Sequence, residues 1–168
     1  MDIVLIPASA DDYDEYYKIR SCPGDVYWNG YEKAPDKNSF RELFLARLGD
    51  SRFEQPEDRR IYLGQLKQRE DYGVAVGFVQ LIKRADGVAI GCTVVEEYQR
   101  HGYATQALKL GVEMATQFDN NVYVQIRDDN VASQGVAKKC GFVRTDEYVV
   151  REYPKAGRIK LRKHRLIK

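Results

Sequence analysis

The sequence has no apolar run long enough to cross a bilayer and no basic-plus-apolar leader at Met1. We therefore expect a cytoplasmic protein that does not bind membranes. It has only three cysteines, Cys22, Cys92 and Cys140, and they lack Cys-x-x-Cys or His-rich spacing. This odd number and spacing predict reduced thiols, not a disulfide framework or a metal site. No Ser-His-Asp or Cys-His arrangement indicates a covalent nucleophile.

Internal repeats, low-complexity tracts and linkers are also missing, which predicts one domain spanning residues 1–168. A hydrophobic content of 43% and a charged content of 31% are typical of a folded, soluble protein. A chain of 168 residues is long enough to bury a substantial core.

The net charge of +2 hides an asymmetry, because residues 155–168 hold seven of the 27 basic residues and no acidic residue. Such a segment can attract an anion, whether the phosphates of a cofactor, RNA or an acidic partner. The interpretation we favour is a solvated edge strand, on which lysines discourage strand-to-strand aggregation.

Periodicity and turn residues predict an alternating order of strands and helices. Strands are predicted at residues 2–7, 60–67, 74–82, 88–95, 122–126, 142–152 and 158–167. Helices are predicted from Ser9 or Asp11 to Arg20, from Asn38 or Ser39 to a stop at Gly49, and at residues 104–118 and 130–140. The second helix carries an apolar stripe of Phe40, Leu43, Phe44 and Leu48. Residues 25–36 and 50–59 are expected to be irregular, and turns at 84–87 and 154–157 predict hairpins.

One turn in this order has a specific chemical implication. Gly102 lies in the turn 99–104, between the β-branched run 88–95 and the amphipathic run 104–118. A strand that enters a helix through glycine presents unpaired backbone N–H groups at the positive end of the helix dipole. The turn is therefore a candidate phosphate site.

About thirty residues later comes a second strand-to-helix passage, with Asn130, Ser133 and Ala137 at regular spacing before Gly141-Phe142. Asn130 is a good helix N-cap. In this order and at this distance, the two segments resemble the acetyl-CoA-dependent N-acetyltransferases of the GNAT superfamily. The chain is similar in style to the branches that acetylate ribosomal-protein N-termini and spermidine.

The resemblance covers nearly the whole chain and implies an α/β (α+β) fold. It implies one GNAT domain, with a mixed, mostly antiparallel sheet of about seven strands and about four flanking helices. It further implies transfer of an acetyl group from acetyl-CoA, without a metal, by direct attack of a primary amine in a ternary complex. The amine would belong to a protein N-terminus or a small molecule, and a homodimer is possible.

The resemblance also assigns a cofactor site. The family's Gln/Arg-x-x-Gly-x-Gly/Ala motif matches Gln99, Gly102 and Ala104. The residues implied to bind acetyl-CoA are Val94, Val95, Gln99, Arg100, His101, Gly102, Tyr103, Ala104, Thr105, Asn130 and Ser133. Val94 and Val95 are implied through their main chain, which pairs with the pantetheine arm and polarises the thioester, while the strand 122–126 splays away to open the slot.

The catalytic residues are less clearly marked, because Ala137 stands where many relatives carry the tyrosine that protonates the departing thiolate. Ser133 is the substitute candidate. A neutral amine requires a base or a desolvating site near pH 7, and Glu96 and Glu97, at the end of the central strand, are the candidates for that base.

Three aromatic residues in the first third of the chain, Tyr27, Trp28 and Tyr31, are candidates for binding the acceptor amine through cation–π attraction. They are equally consistent with a hydrophobic clasp between a helix and the sheet.

Two other functions remain open at this point. Ala137 is also consistent with a non-catalytic acetyl-CoA-binding sensor or scaffold. The basic segment 155–168 is consistent with an acetyltransferase acting on aminoacyl-tRNA. The sequence lacks the interleaved aromatic and basic residues of RNA-binding platforms, so a nucleic-acid partner is the least favoured.

Overall fold

A computed structural model describes residues 2–48, 52–67 and 73–167. Within these ranges the strands are β1 (Ile3–Pro7), β2 (Arg59–Leu66), β3 (Ala75–Arg84), β4 (Gly87–Val94), β5 (Val122–Arg127), β6 (Phe142–Tyr153) and β7 (Gly157–Leu166). The α-helices are α1 (Tyr13–Arg20), α2 (Pro23–Trp28), α3 (Lys37–Leu48), α4 (Tyr103–Ala115) and α5 (Val131–Lys139), and 3₁₀ turns lie at Ala10–Asp12 and Glu96–Tyr98.

The strands form one seven-stranded sheet in the order β1-β2-β3-β4-β5-β7-β6. Only β4 and β5 pair in parallel, and every other neighbouring pair is antiparallel. The mixed, mostly antiparallel sheet predicted from the sequence is therefore confirmed, as are the hairpins that turn at 84–87 and 154–157.

Helices cover both faces of the sheet. On one face, α4 packs so closely that a Cβ at Gly111 would lie 3.0 Å from Val79, and Leu108 and Ala137 join the same core cluster. On the other face, Tyr16 of α1 stacks on Phe44 of α3 with ring centroids 4.8 Å apart, over Phe78 of β3. Each such ring removes a large apolar area from water, which fixes the helices on the sheet.

The ends of the helices differ in detail from the predictions. Asp36 caps α3 by accepting the backbone N–H of Ser39 at 2.9 Å, so the predicted cap at Asn38 or Ser39 was wrong by two to three residues. Phe40 and Phe44 are buried, but Leu43 is exposed because it lies off the face that meets the sheet. The predicted stop at Gly49 lies outside the described residues.

A further helix, α2, occupies Pro23–Trp28, where the sequence predicted a break followed by irregular chain. Pro23 sits at the first helical position, where its missing N–H is no loss and its φ is preset. The predicted polar loop 50–59 also contains a core residue, since Phe53 is buried against Phe118.

The basic segment is not an edge strand, which corrects the interpretation favoured above. β7 lies between β5 and β6, and its cations pair with acids from other elements: Arg162 with Asp128 at 2.9 Å, and Arg165 with Glu147 at 2.7 Å. Pairing order depends on long-range contacts, which local composition does not encode. Within the described residues, no helix is both long and apolar enough to span a membrane.

Candidate functional site

A large cleft opens where β4 and β5 separate. Their parallel pairing runs from Val88↔Val122 to Ile90↔Val124 and then stops, while β4 stays paired with β3 as far as Val94. The splay creates a cleft of about 860 Å³, lined by β4, β5, α2, the first turn of α4 and one side of α5. This cleft brings together residues that are far apart in sequence.

The edge of β4 that faces the cleft carries unpaired backbone groups. Val95 N–H donates to Val76 O at 3.0 Å, so it bonds within the sheet. Because backbone groups alternate in direction along an antiparallel strand, the N–H of Val94 faces the opposite way, toward the cleft. Val88 shows the same direction, since its N–H bonds to Asn121 on the β5 side. Of the two valines implied by the family resemblance, only Val94 has an N–H available to a ligand.

The glycine turn reaches the cleft beside this edge. Gly102 has φ +82° and precedes α4, whose first helical bond is donated by Gln106 to Gly102 O. The N–H groups of Tyr103, Ala104 and Thr105 therefore come before the first helical hydrogen bond. A Cβ at Gly102 would meet no atom within 4 Å, so the space in front of this helix terminus is open.

Side chains of the turn have separate roles. Gln99 donates through Nε2 to Val94 O at 3.0 Å and ties the turn to the strand end. Gln99, Arg100, Gly102, Ala104 and Thr105 line the cleft. His101 and Tyr103 do not line it. The two rings stack on each other at 5.6 Å, and His101 is exposed.

The second sequence segment forms the facing wall. Asn130 caps α5 by accepting Ser133 N–H at 3.0 Å, as the sequence predicted. Asn130, Ser133 and Ala137 all line the cleft. Among the described residues, the Ser133 hydroxyl has no hydrogen-bond partner, so it is available to a group in the cleft.

The two candidate bases differ in placement. They lie in a 3₁₀ turn and not at the end of a strand, so the alternation of a strand does not decide which of them faces the cleft. Glu96 lines the cleft, and its Oε1 would lie 2.9 Å from a Cβ at Gly24. Both side chains are exposed, but Glu97 lies outside the lining residues.

The three candidate aromatic residues separate as well. The guanidinium of Arg127 lies 5.4 Å from the ring centre of Tyr27 and 5.1 Å from that of Trp28. The cation–π partner of these two rings is therefore a side chain of the protein itself. Arg127 also bonds to Asp129 at 2.7 Å. Trp28 lines the cleft, whereas Tyr27 and Tyr31 are exposed outside it.

A buried carboxylate that sequence reasoning missed stands in the same cleft. Asp25 of α2 accepts the hydroxyl of Thr93 at 2.9 Å and pairs with Arg20 at 3.0 Å, and its side chain is 2% exposed. Burial raises the pKa of the Asp25 carboxyl, although Arg20 and Thr93 act against the rise. A sequence signal for this helix and its carboxylate exists, because Pro23 suits the first position of a helix and Asp25 suits its first turn. The prediction of irregular chain at residues 25–36 overlooked this signal.

The thiols are poor nucleophiles. Burial raises the pKa of Cys92 to about 12 and raises the pKa values of Cys22 and Cys140 as well. All three cysteines are free and stay protonated near neutral pH. Among the described residues, no group of three or more His, Cys, Asp or Glu side chains is placed to hold a metal.

The family model for the acetyltransferase (GNAT) domain matches residues 2–143. The chain belongs to this family. It is an acetyl-CoA-dependent N-acetyltransferase, and acetyl-CoA is its co-substrate. No curated protein sequence matches it significantly.

Solved structures show the same GNAT fold. A spermidine N-acetyltransferase from Vibrio cholerae, in complex with CoA and spermine, superposes with a TM-score of 0.78 at 15% identity, covering 98% of this chain and 95% of that one. A probable GNAT-family acetyltransferase from Chromobacterium violaceum has a TM-score of 0.75 at 18% identity, covering 99% and 83%. A dodecameric structure of the Vibrio cholerae enzyme has a TM-score of 0.73 at 16% identity, covering 99% and 94%.

The cleft of this GNAT domain suits the parts of acetyl-CoA. The open terminus of α4 offers converging N–H groups to phosphates. The unpaired edge of β4 offers backbone groups to the amides of the pantetheine arm. Leu108, Val136 and Ala137 supply an apolar wall between them.

Proposed function

We propose that this N-acetyltransferase acetylates a primary amine, of a small molecule or a protein N-terminus, by direct attack in a ternary complex. The observation that carries the proposal is the arrangement of the splayed cleft. The open edge of β4, the carboxylate of Glu96 and the unpartnered hydroxyl of Ser133 all line one cleft. The structural relative from Vibrio cholerae, a spermidine N-acetyltransferase, supports an amine acceptor in general terms.

Binding of acetyl-CoA is assigned to backbone groups. The N–H groups that begin α4, with the positive charge of Arg100, hold the pyrophosphate. Gln99 keeps the turn against the end of β4 through its bond to Val94 O. His101 and Tyr103 contribute through backbone only, since their side chains lie outside the cleft lining.

The chemistry requires a neutral amine, an activated carbonyl and a proton for the thiol. Acetyl-CoA supplies the activated acyl group. Glu96 accepts the proton of the ammonium group, directly or through water, so that the amine carries a lone pair. Val94 N–H donates to the thioester oxygen as charge develops there.

In the balanced reaction, a C–N bond forms as the C–S bond breaks. Of the three ammonium protons, one passes to Glu96 before attack, one stays on the amide nitrogen, and the third is lost from nitrogen as the tetrahedral intermediate collapses and protonates the departing thiolate, so CoA leaves as its thiol. Many relatives carry a tyrosine at the position of Ala137 for this purpose. Here Ser133 hydrogen-bonds the departing sulfur instead. The raised pKa values of the cysteines fit direct attack, because no thiolate is available to form an acyl-enzyme.

Thiol release from acetyl-CoA tests the proposal. The enzyme is supplied with acetyl-CoA and, separately, a peptide, a polyamine, an aminosugar and an aminoglycoside, and mass spectrometry identifies the acetylated product. We expect thiol release that depends on one of the amines and matches product formation. Binding of acetyl-CoA with no turnover of any amine would contradict the proposal and favour a binding module.

A further inference from the structure

The face of the cleft that meets α1 and α3 carries a polar floor. Phe78 and Thr93 are cross-strand partners, and Phe78 belongs to the core under α1 and α3, so Thr93 projects to that face. Gln80 and Gly91 are paired two residues further along the same strands and share this face. A Cβ at Gly91 would lie 2.8 Å from Gln80 Nε2, so glycine leaves room for the amide.

Arginines from four elements surround this floor, and together they form what we term the arginine cluster. Its members are Arg20 of α1, Arg47 of α3, Arg59 of β2 and Arg151 of β6. Arg20 and Arg151 line the cleft directly. Arg59 donates to Gln80 at 3.2 Å, and Arg151 donates to Gln125 at 3.3 Å, so neutral amides hold two of the guanidinium groups toward the floor.

The arginine cluster has more positive charge than its acidic neighbours balance. Asp25 pairs with Arg20, and Glu57 approaches Arg59 only at 3.9 Å while also pairing with Arg84. Among the described residues, neither Arg47 nor Arg151 has a carboxylate partner. Arg20 Nε is buried with no hydrogen-bond partner.

Burial and mutual repulsion both lower the pKa values of two members of the cluster. Burial, followed by the charges of Arg47, Arg151 and Arg20, lowers the pKa of Arg59 to about 10. Burial also lowers the pKa of Arg47, and Arg20 adds to the effect. Partly buried like charges are unfavourable in the free protein, and an anion bound among them would relieve the repulsion.

We assign the acceptor to the face of the cleft that meets α1 and α3, and call it the acceptor side. Its charges are arranged in two parts. Near Thr93 stands the exposed carboxylate of Glu96, which suits an ammonium group, whereas Asp25 there is buried and already paired with Arg20. Beside Gly91 stand the amides and guanidinium groups. Two residues of strand separate these parts by about 7 Å, a distance that one small molecule spans.

We propose that the acceptor is an amine that also carries an oxyanion, a carboxylate or a phosphate, which the arginine cluster binds. This inference rests on the proposed acetyl transfer and names its substrate class. Guanidinium groups bind both oxyanions through paired N–H donors. A polyamine would place ammonium groups among guanidinium groups, so the cluster disfavours such acceptors.

Matched acceptor pairs test the proposal at constant ionic strength. One pair is 6-aminohexanoate and hexylamine, and the other is glucosamine 6-phosphate and glucosamine, with spermidine as the polycation. We expect an oxyanion-bearing member to have a kcat/KM at least about tenfold above that of its partner and of spermidine. The two pairs distinguish carboxylate from phosphate.

Arg151→Gln is the first variant, because Arg151 is exposed and its loss does not open the core. We expect KM for the preferred anionic amine to rise by roughly tenfold, with little change for its neutral partner. Arg158→Gln is the matched control, since Arg158 is exposed in the same hairpin and outside the cleft. Arg59→Gln provides a second variant from another element.

The outcomes separate this inference from the proposed function. Turnover of neutral amines or spermidine at equal or higher efficiency overturns the inference and leaves acetyl transfer intact. An anion preference that Arg151→Gln and Arg59→Gln leave unchanged also overturns it. A third outcome is that calorimetry shows binding of the anionic amines, that this binding depends on Arg151, and that no amine is acetylated. That outcome supports the inference and overturns the proposed function. If the protein neither binds nor acetylates any anionic amine, the inference is overturned.

Discussion

Glu96 and Glu97 are chain neighbours of the same type, but only Glu96 reaches the cleft. Both side chains are exposed, but Glu96 lies beside Gly24 of α2 and lines the cleft, whereas Glu97 lies outside the cleft lining. We expect Glu96→Gln to lower kcat by about 10²-fold, since a positioned base contributes on that order. Glu97→Gln is the control and keeps kcat near the wild-type value. A larger loss in Glu97→Gln than in Glu96→Gln, measured at saturating substrate, would contradict this assignment.

Residues with strong local rules could be placed in the cleft from the sequence. Gly102 was recognisable because a turn into a helix needs a left-handed residue, and Asn130 because it is a good N-cap. Asp25 could not be assigned, because its significance comes from Thr93, which is distant in sequence. The arginine cluster was missed for the same reason, since its members lie on four separate elements.

At the scale of the element, the proposed chemistry depends on a backbone N–H group of β4. Val94 N–H faces the cleft and has no partner in β3, so Val94→Pro removes that donor without breaking the β3–β4 ladder. We expect thermal stability close to wild type and a fall in kcat of about 10²-fold or more. Val94→Ala keeps the donor and serves as the control. Full activity of a folded Val94→Pro variant would refute a role for this N–H.

β7 contains a buried histidine with a predictable effect on pH stability. His164 is 4% exposed, its Nε2 has no hydrogen-bond partner, and burial followed by the charge of Arg144 lowers its pKa. The unfolded chain therefore binds a proton more readily, and stability is lost as pH falls below about 6.5 toward the folded pKa.

Replacing this histidine tests the sign of the effect. We expect His164→Leu to unfold with a flatter dependence on pH below about 6.5, measured by urea denaturation, because the titrating group is gone. His101→Leu is the matched control, because His101 is exposed in the turn before α4, and it should keep the wild-type slope. The same slope in wild type and His164→Leu would show that another group is responsible.

Elements with clear periodicity were predictable, and their neighbours in the sheet were less so. The seven strands and four longer helices follow from alternation, amphipathic spacing and turn residues. The short helix α2 was missed because six residues are too few for a periodic signal. The interior place of β7 depends on its pairing with β5 and β6, and its composition pointed to an edge instead.

At the scale of the whole molecule, the proposed function depends on the splay between two strands of the sheet. β4 and β5 separate beyond Ile90↔Val124, and the cleft between them joins the α4 terminus to the face under α1 and α3. Acetyl-CoA reaches this break from the side of α4 and α5 in our account, and the acceptor from the arginine cluster on the other face. The family resemblance predicted the splay, whereas the charges of the acceptor side became visible only in the fold.

Thermal unfolding with and without acetyl-CoA tests the central claim most directly. At a hundred times its dissociation constant, a ligand stabilises by about 2.7 kcal/mol, which corresponds to roughly 5–10 °C for a chain of this size. We predict this shift for wild type and for Gly157→Glu, a left-handed glycine in open space away from the cleft, and its loss in Gly102→Glu. No shift of the wild-type protein at millimolar acetyl-CoA, or an equal shift in Gly102→Glu, would contradict the account.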